Sequence, residues 1–333
     1  MIIKRLLNKD YKILSRYINK HYKKGHILSK NKKLFDWMYF DTKSKKYNFL
    51  VAKEKNKIIA TKGFQPLRLF DKYLDHESFM SMWSSSQPTV GIKLFNNLLD
   101  KKFKFICGIG SSEQSHRYQK YKKFSTGQLK HSYLLSSKIK NYKIAQIIEK
   151  KNVPIKNLFG KNYIKLDANY LKKQNIDDLF KFQIPKKSSL YLINRYLSSK
   201  FYKYYAYGTL KKDKIINIIV LRDCKYKKRV AVRIIDYIGS NNTFKYLDKL
   251  FKKILEKGNV EYIDLYSYGI PESKIIKSGL KVKKLNDKNI IPNNFEPFEK
   301  KNKQIIFGYL TKKLYKKKIR LFKGDSDMDR PNL

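Results

Sequence analysis

Cysteine is almost missing from this chain: Cys107 and Cys224 are the only two in 333 residues. They can form one bridge at most, which excludes a disulfide-stapled fold. Both lie in apolar, strand-like runs that suit buried thiols in a reducing compartment. Neither has a partner at metal-ligand spacing, so no metal site is expected. No apolar run reaches the roughly 18 residues that a membrane-spanning helix needs. The opening segment, residues 1–10, has no apolar stretch of signal-peptide length, and the expectation is a cytoplasmic protein. Acidic residues are scarce too, 27 against 76 basic ones, for a formal charge of +49. That balance ordinarily points to nucleic acid or an anionic membrane. Arginine, however, contributes only 10 of those bases against 66 lysines, and the charge is spread along the whole chain. Arginine reads phosphates and bases bidentately, so no specific nucleic-acid partner is expected. The charge still favours smaller anionic ligands.

What is present suffices for two domains of ordinary size, with 42% hydrophobic residues to build their cores. A helix over 8–23 precedes a strand-turn-strand pair at 48–52 and 57–64. A strand over 78–83, a helix over 92–99, a strand over 103–109 and a helix over 113–124 follow. Residues 129–135 form a closing strand. The polar, lysine-rich stretch 139–160, interrupted by Pro154, reads as a linker helix. A similar order then returns: helices near 169–182 and 188–198, strands over 215–221 and 230–238, a helix over 243–257 and a strand over 261–266. Pro271 opens a short helix, as proline at a first turn can. A repeated α/β (α+β) unit implies two lobes, each with a mixed, mostly antiparallel sheet flanked by helices. The expected division is 1–138, linker 139–160, 161–313, and a basic and acidic tail 314–333.

The first half holds the most specific pattern. After the strand Ser78-Phe-Met-Ser-Met-Trp83 comes the turn Gln87-Pro-Thr-Val-Gly91-Ile-Lys93. A tight turn at a helix N-terminus offers backbone N–H donors and a positive dipole end to phosphates. Tyr118 and Phe124 follow on the helix after the next strand. This order resembles the cofactor half of the GNAT acyltransferase superfamily, in its tandem two-lobed form. The resemblance implies acyl-CoA as co-substrate, held by Gln87, Thr89, Val90, Gly91 and Lys93, with Tyr118 protonating the departing thiolate. A phenol with an ordinary pKa of about 10 suits that role. The chain departs from the family pattern in several places, including a spacing from Tyr118 to Phe124 that is longer by one than usual. Pro88 removes a donor, the second small residue of the turn is replaced by a bulkier one, and Lys123 stands where a glycine is usual before Phe124.

His26 reads either as a base or acceptor-binding group or as a helix-end histidine. In the second half the scarce carboxylates Asp236, Glu261 and Asp264 fall on two strands successive in the sequence. They read either as acceptor-binding and proton-accepting groups or as an internal salt-bridge network. No glycine turn follows Ile238, so only the first lobe is expected to bind CoA. The tail Asp325-Ser-Asp327-Met-Asp329 lacks the glycine and distal glutamate of a calcium loop. The two-lobed layout and this ending also resemble bacterial surface-polysaccharide acyltransferases. The implied activity is N-acylation of an anionic, nucleotide-linked amino sugar. Two alternatives are an aminoacyl-tRNA-dependent peptidyl transferase of tandem type and a catalytically degenerate binding module.

Overall fold

The computed structural model describes residues 1–150, 159, 161–311 and 318–329. It is a mixed α/β protein with two eight-stranded, mostly antiparallel sheets flanked by helices. The chain divides into a first unit, residues 1–125 with 308–312 and 326–333, and a second unit, residues 126–307 with 313–325.

In the first unit β1 (Ile2–Leu7) leads to α1 (Tyr11–Tyr17), α2 (Ile27–Lys30) and α3 (Lys32–Tyr39). Asn31 caps α3 by accepting from the Leu34 N–H at 2.9 Å, and the helix buries Leu34, Phe35, Met38 and Tyr39. Strands β2 (Phe40–Asp41), β3 (Lys46–Glu54), β4 (Lys57–Pro66) and β5 (Glu77–Ser85) follow, then α4 (Pro88–Leu99), β6 (Phe105–Ile109) and α5 (Glu113–Tyr121). Pro88 starts α4 at the one turn where a missing N–H costs nothing. Val90, Leu94, Phe95 and Leu98 repeat at helical spacing and are buried against the sheet. Strands β3, β4 and β5 pair antiparallel, whereas β5 and β6, joined through α4, are parallel, since such a pair needs a crossover. β5 and β6 pair only from Glu77↔Phe105 to Met80↔Gly108. There β5 carries an extra residue against β4 and continues along it to Ser85, so the two strands part.

The second unit takes in most of β7 (Ser125–Gln128), then β8 (Lys130–Leu135), β9 (Tyr163–Leu166), and the short helices α6 (Ala168–Lys173), α7 (Asp177–Phe180) and α8 (Ser189–Leu192). β10 (Tyr204–Lys211), β11 (Lys214–Tyr226), β12 (Arg229–Gly239), α9 (Asp248–Leu255), β13 (Val260–Tyr268) and α10 (Glu272–Lys277) carry the repeated order. β14 (Lys281–Val282), β15 (Asn294–Phe295), β16 (Phe298–Glu299), β17 (Ile306–Thr311) and β18 (Leu321–Phe322) are the remaining strands among the described residues, with β17 lying between β6 and β7 in the first sheet. The second sheet runs β14-β8-β13-β12-β11-β10-β9, and β12 and β13 are again the parallel pair, joined through α9.

Here too the parallel strands diverge, after Ile234↔Leu265. The chain itself fills that gap. β18 pairs with β13 through Ser267↔Phe322 and Tyr268↔Leu321. On the other side the Gly324 N–H donates to Ile235 O at 3.0 Å, and Arg320 donates to Gly239 O. Gly269, at φ +89°, lies so close to the Ile319 carbonyl that no side chain would fit.

Several expected boundaries move. Residues 129–135 do not close the first lobe: β8 pairs with β13 in the second unit. Residues 139–150 form no helix, and 151–158 and 160 lie outside the described residues. The stretch from 314 is not a free tail, because 318–325 enter the second unit while 326–329 belong to the first, with Met328 against Gly110. Arg330 to Leu333 are outside the described residues. Cys107 on β6 and Cys224 on β11 are both buried thiols. Among the described residues no helix is long and apolar enough to cross a membrane.

The inserted segment brings a charge with it. Lys187 Nζ lies 2.6 and 2.7 Å from the two Asp236 oxygens and 2.7 Å from Asp325 Oδ1, with all three side chains fully buried. Two carboxylates therefore share one ammonium. Burial pushes the Asp325 carboxyl up to about 7, with Lys187 opposing and Asp236 adding to the rise. A carboxyl raised above its unfolded value stabilises the fold fully at low pH and loses that contribution as pH rises through its folded pKa. Stability of the second unit is therefore expected to fall between about pH 4 and pH 8, by at most about 1.4 kcal/mol per pH unit from this group. Asp325→Asn keeps an acceptor for the Phe322 N–H, now 2.8 Å from Oδ2, and should flatten the slope and raise Tm at pH 8. An unchanged slope in thermal melts of the variant would refute the assignment.

Candidate functional site

The β5–α4 turn is held by Ser85, whose Oγ accepts from the Gln87 N–H at 3.1 Å and donates to the Gln87 carbonyl. The Val90 and Gly91 N–H groups both return to Gln87 O, at 3.1 and 3.2 Å. With Pro88 lacking a donor, the turn satisfies most of its own first-turn groups and is poorer in phosphate donors than an ordinary helix start. Gln87, Thr89 and Lys93 are exposed on it, whereas Val90 is buried in the core. Gly91 faces β5: a Cβ there would lie 3.0 Å from Ser85 Cβ and 3.3 Å from Trp83 Nε1, which itself donates to Gly91 O at 3.1 Å. Its smallness lets α4 close on the strand.

Tyr118 projects from α5 toward the same helix. Its hydroxyl donates to Asn96 Oδ1 at 2.9 Å, and its ring packs on Trp83 and edge-on to Phe95 at 5.7 and 5.2 Å between centroids. Gly91 and Asn96 are five residues apart on α4, about 7 Å along its axis. Lys62 on β4, which the sequence reading missed, joins this cluster. Its Nζ donates to Ser81 O at 2.9 Å and lies 5.7 and 5.4 Å from the Trp83 and Phe95 ring centres. Burial pushes the ammonium down to about 7, with Asp327 opposing. The signal in the sequence was a lysine at an inward position of the alternation Ala60, Lys62, Phe64.

His26 is buried, and its Nδ1 accepts from the Leu28 N–H at 3.2 Å, capping α2. That favours the helix-end reading. The three carboxylates of the second unit are all fully buried. Asp236 holds Lys187 and accepts from Tyr196 at 3.0 Å and from its neighbour's N–H, Tyr237, at 2.8 Å. Glu261 accepts from the backbone N–H groups of Lys143, Ile144 and Ala145 and so ties down the segment expected to be a helix. Asp264 takes two bonds from Arg233, at 3.0 and 2.7 Å. Both faces of β12 and β13 are covered, which is why strand alternation left none of these groups in solvent. The geometry favours the ordering network over direct acceptor contacts. Another residue absent from the sequence reading, His131 on β8, lies 3.5 Å from Asp264.

No family model matches this sequence, and no curated protein does. Solved structures match over nearly the whole chain. A protein from Pyrococcus horikoshii to which acetyltransferase activity is attributed is 11% identical, with 95% of this chain and 91% of that chain covered at a TM-score of 0.51. A GCN5-related N-acetyltransferase from Anabaena variabilis is 9% identical, with 92% and 72% covered at 0.54. A conserved protein of unknown function from Enterococcus faecalis, for which N-acyltransferase activity is suggested, is 8% identical, with 92% and 71% covered at 0.52. At such identities the likeness speaks for the fold. Together with the two sheets and the twice-repeated parallel pair, it identifies this chain as a tandem, two-lobed protein of the GNAT fold.

Proposed function

We propose that the protein is an acyl-CoA-dependent N-acyltransferase with one donor site per chain, in the first unit. The observation that carries this reading is the contrast between the lobes. The β5–α4 turn and Tyr118 meet on one helix in the first, whereas β18 fills the gap between the parallel strands of the second. Gln87, Thr89 and Lys93 would hold the pyrophosphate at the positive end of the twelve-residue helix α4. Tyr118, with its hydroxyl oriented by Asn96, would give its proton to the CoA thiolate as the acceptor amine displaces it. Lys62, held down near 7, is suited to take up the proton the amine loses. The net charge of +49 supports an anionic acceptor, and an amino sugar linked to a nucleotide, used in surface-polysaccharide assembly, is the substrate we favour. The same charge would suit an aminoacyl-tRNA donor. The donor-poor turn is the specific observation in favour of a non-catalytic binding module.

Calorimetric titration of the full chain with acetyl-CoA is expected to show one site. Lys93→Glu should weaken binding about tenfold by reversing an exposed charge on the second turn of the helix, next to the proposed phosphate site. Single-turnover transfer to a panel of nucleotide amino sugars then tests the acceptor. Absence of acyl-CoA binding would favour the module, and transfer from aminoacyl-tRNA alone would favour the peptidyl transferase.

A further inference from the structure

The second unit contains a cavity of about 990 Å³ lined by β8, β13, α10 and the loops 282–287 and 302–304. Sites for small ligands commonly occupy about 300–1,000 Å³, so this one has room for a sugar phosphate or a larger nucleotide conjugate. His131 stands in its wall with a side chain only 9% exposed. The ring stacks on Tyr266, with centroids 4.0 Å apart and planes 10° from parallel. Its Nε2 is buried without a hydrogen-bond partner, 3.5 Å from Asp264 Oδ2.

Asp264 is itself locked in place. Arg233 grips both of its oxygens and donates in turn to the carbonyls of Asn293 and Pro292, at 2.7 and 3.0 Å. The carboxylate thus faces Nε2 and favours the tautomer with its proton there, leaving Nδ1 as an acceptor. Burial lowers the imidazole pKa, with Asp264 opposing and Arg233 and Lys283 adding to the fall, so the ring is neutral at pH 7. Its two carboxylates are already paired, Glu272 with Lys130 and Asp287 with Lys281 and Lys283, which leaves the rest of the polar lining basic and amide-rich. Lys284 and Lys303 are exposed at its edge, and Gln128 and Gln304 bond to each other at 3.1 Å.

We propose that this cavity binds a small phosphorylated sugar, with its phosphate at Lys284 and Lys303 and one of its O–H or N–H groups donated to His131. Asp264 is then a positioning residue that acts through His131. The ligand class overlaps that of the acceptor favoured above, but the test needs neither acyl donor nor turnover. Its failure therefore leaves the acyl-transfer reading standing, and failure of that reading leaves the site standing.

The probes are glucosamine 6-phosphate, UDP-glucose and inorganic phosphate, titrated calorimetrically into the full chain. At least one sugar phosphate is expected to bind at one site per chain, at least tenfold tighter than phosphate alone. Lys284→Ala with Lys303→Ala should weaken it tenfold or more through loss of charge-assisted bonds. His131→Phe keeps an aromatic ring against Tyr266 and leaves the Arg233–Asp264 pair intact. It should weaken the sugar phosphate about tenfold while leaving phosphate binding unchanged. A purely structural histidine would lower Tm without that split. No saturable binding of any probe to the wild type, or unaltered affinities in both variants, would overturn the proposal.

Discussion

Arg233→Met is expected to destabilise the second unit by about 3–5 kcal/mol, enough to unfold it under mild conditions. Asp264 and Arg233 are both buried, and the guanidinium supplies two of the carboxylate's bonds at 3.0 and 2.7 Å. Burying Arg233 carries a desolvation cost that its partner offsets, and its charge holds the Asp264 carboxyl well below the usual carboxylate range despite burial. Remove it, and the carboxylate is left in the core facing an imidazole that burial keeps neutral. The carbonyls of Pro292 and Asn293 each lose a charged donor in the same step and keep only the longer bonds from Tyr262 and Lys323, at 3.4 and 3.3 Å. Arg233→Met with Asp264→Leu should recover much of the loss, because a matched apolar pair removes the uncompensated charge as well. Urea unfolding followed by circular dichroism gives the comparison. Equal midpoints for the wild type and the single variant would mean that the pair carries no such weight.

Tyr118→Phe is expected to lower kcat for acyl transfer by about 10²–10⁴-fold, the range for loss of a general acid, with the acceptor KM within about twofold. The phenyl ring keeps its contacts with Trp83 and Phe95. Only the hydrogen bond to Asn96 is lost, worth about 1 kcal/mol of stability. Folding and substrate binding should therefore survive while the proton needed by the leaving thiolate does not arrive. Steady-state kinetics with acetyl-CoA and the productive acceptor measure this. A wild-type kcat would assign proton donation to another group, and an equal rise in KM would make Tyr118 a packing residue.

The legible parts of this molecule are those written in local periods. Short, largely apolar runs over 78–83 and 103–109 marked β5 and β6, and apolar spacing through Leu94, Phe95 and Leu98 marked α4, because strand length and helix faces show within a few residues. Recurrence of that order disclosed two lobes. The boundary at residue 138 failed because β8 carries no local sign of its partner: its pairing with β13 joins Leu135 to Tyr262, far along the chain. Likewise a polar, lysine-rich stretch reads as a linker helix until Glu261 is seen binding the N–H groups at 143–145.

The site divides along the same line. The Gln87–Lys93 turn and Tyr118 were nominated by the resemblance to the GNAT superfamily, which residue type and order carry, since a strand, a turn and two helices set that sequence of groups. Whether Gly91 approaches a ligand or a strand depended on which side of α4 meets β5. For Asp236, Glu261 and Asp264, strand alternation could assign only a face. Burial of both faces, and partners supplied from Lys187, from the backbone at 143–145 and from Arg233, made them an internal network. Lys62 and His131 stayed hidden for that reason too: a lysine or histidine in a strand is unremarked until packing removes its water and sets its charge. The sequence by itself determined the elements and their repetition, because those follow from local periodicity. Which charges are buried, what they hold, and that β18 fills the second lobe's gap came from the tertiary structure, because each depends on residues brought together from distant positions.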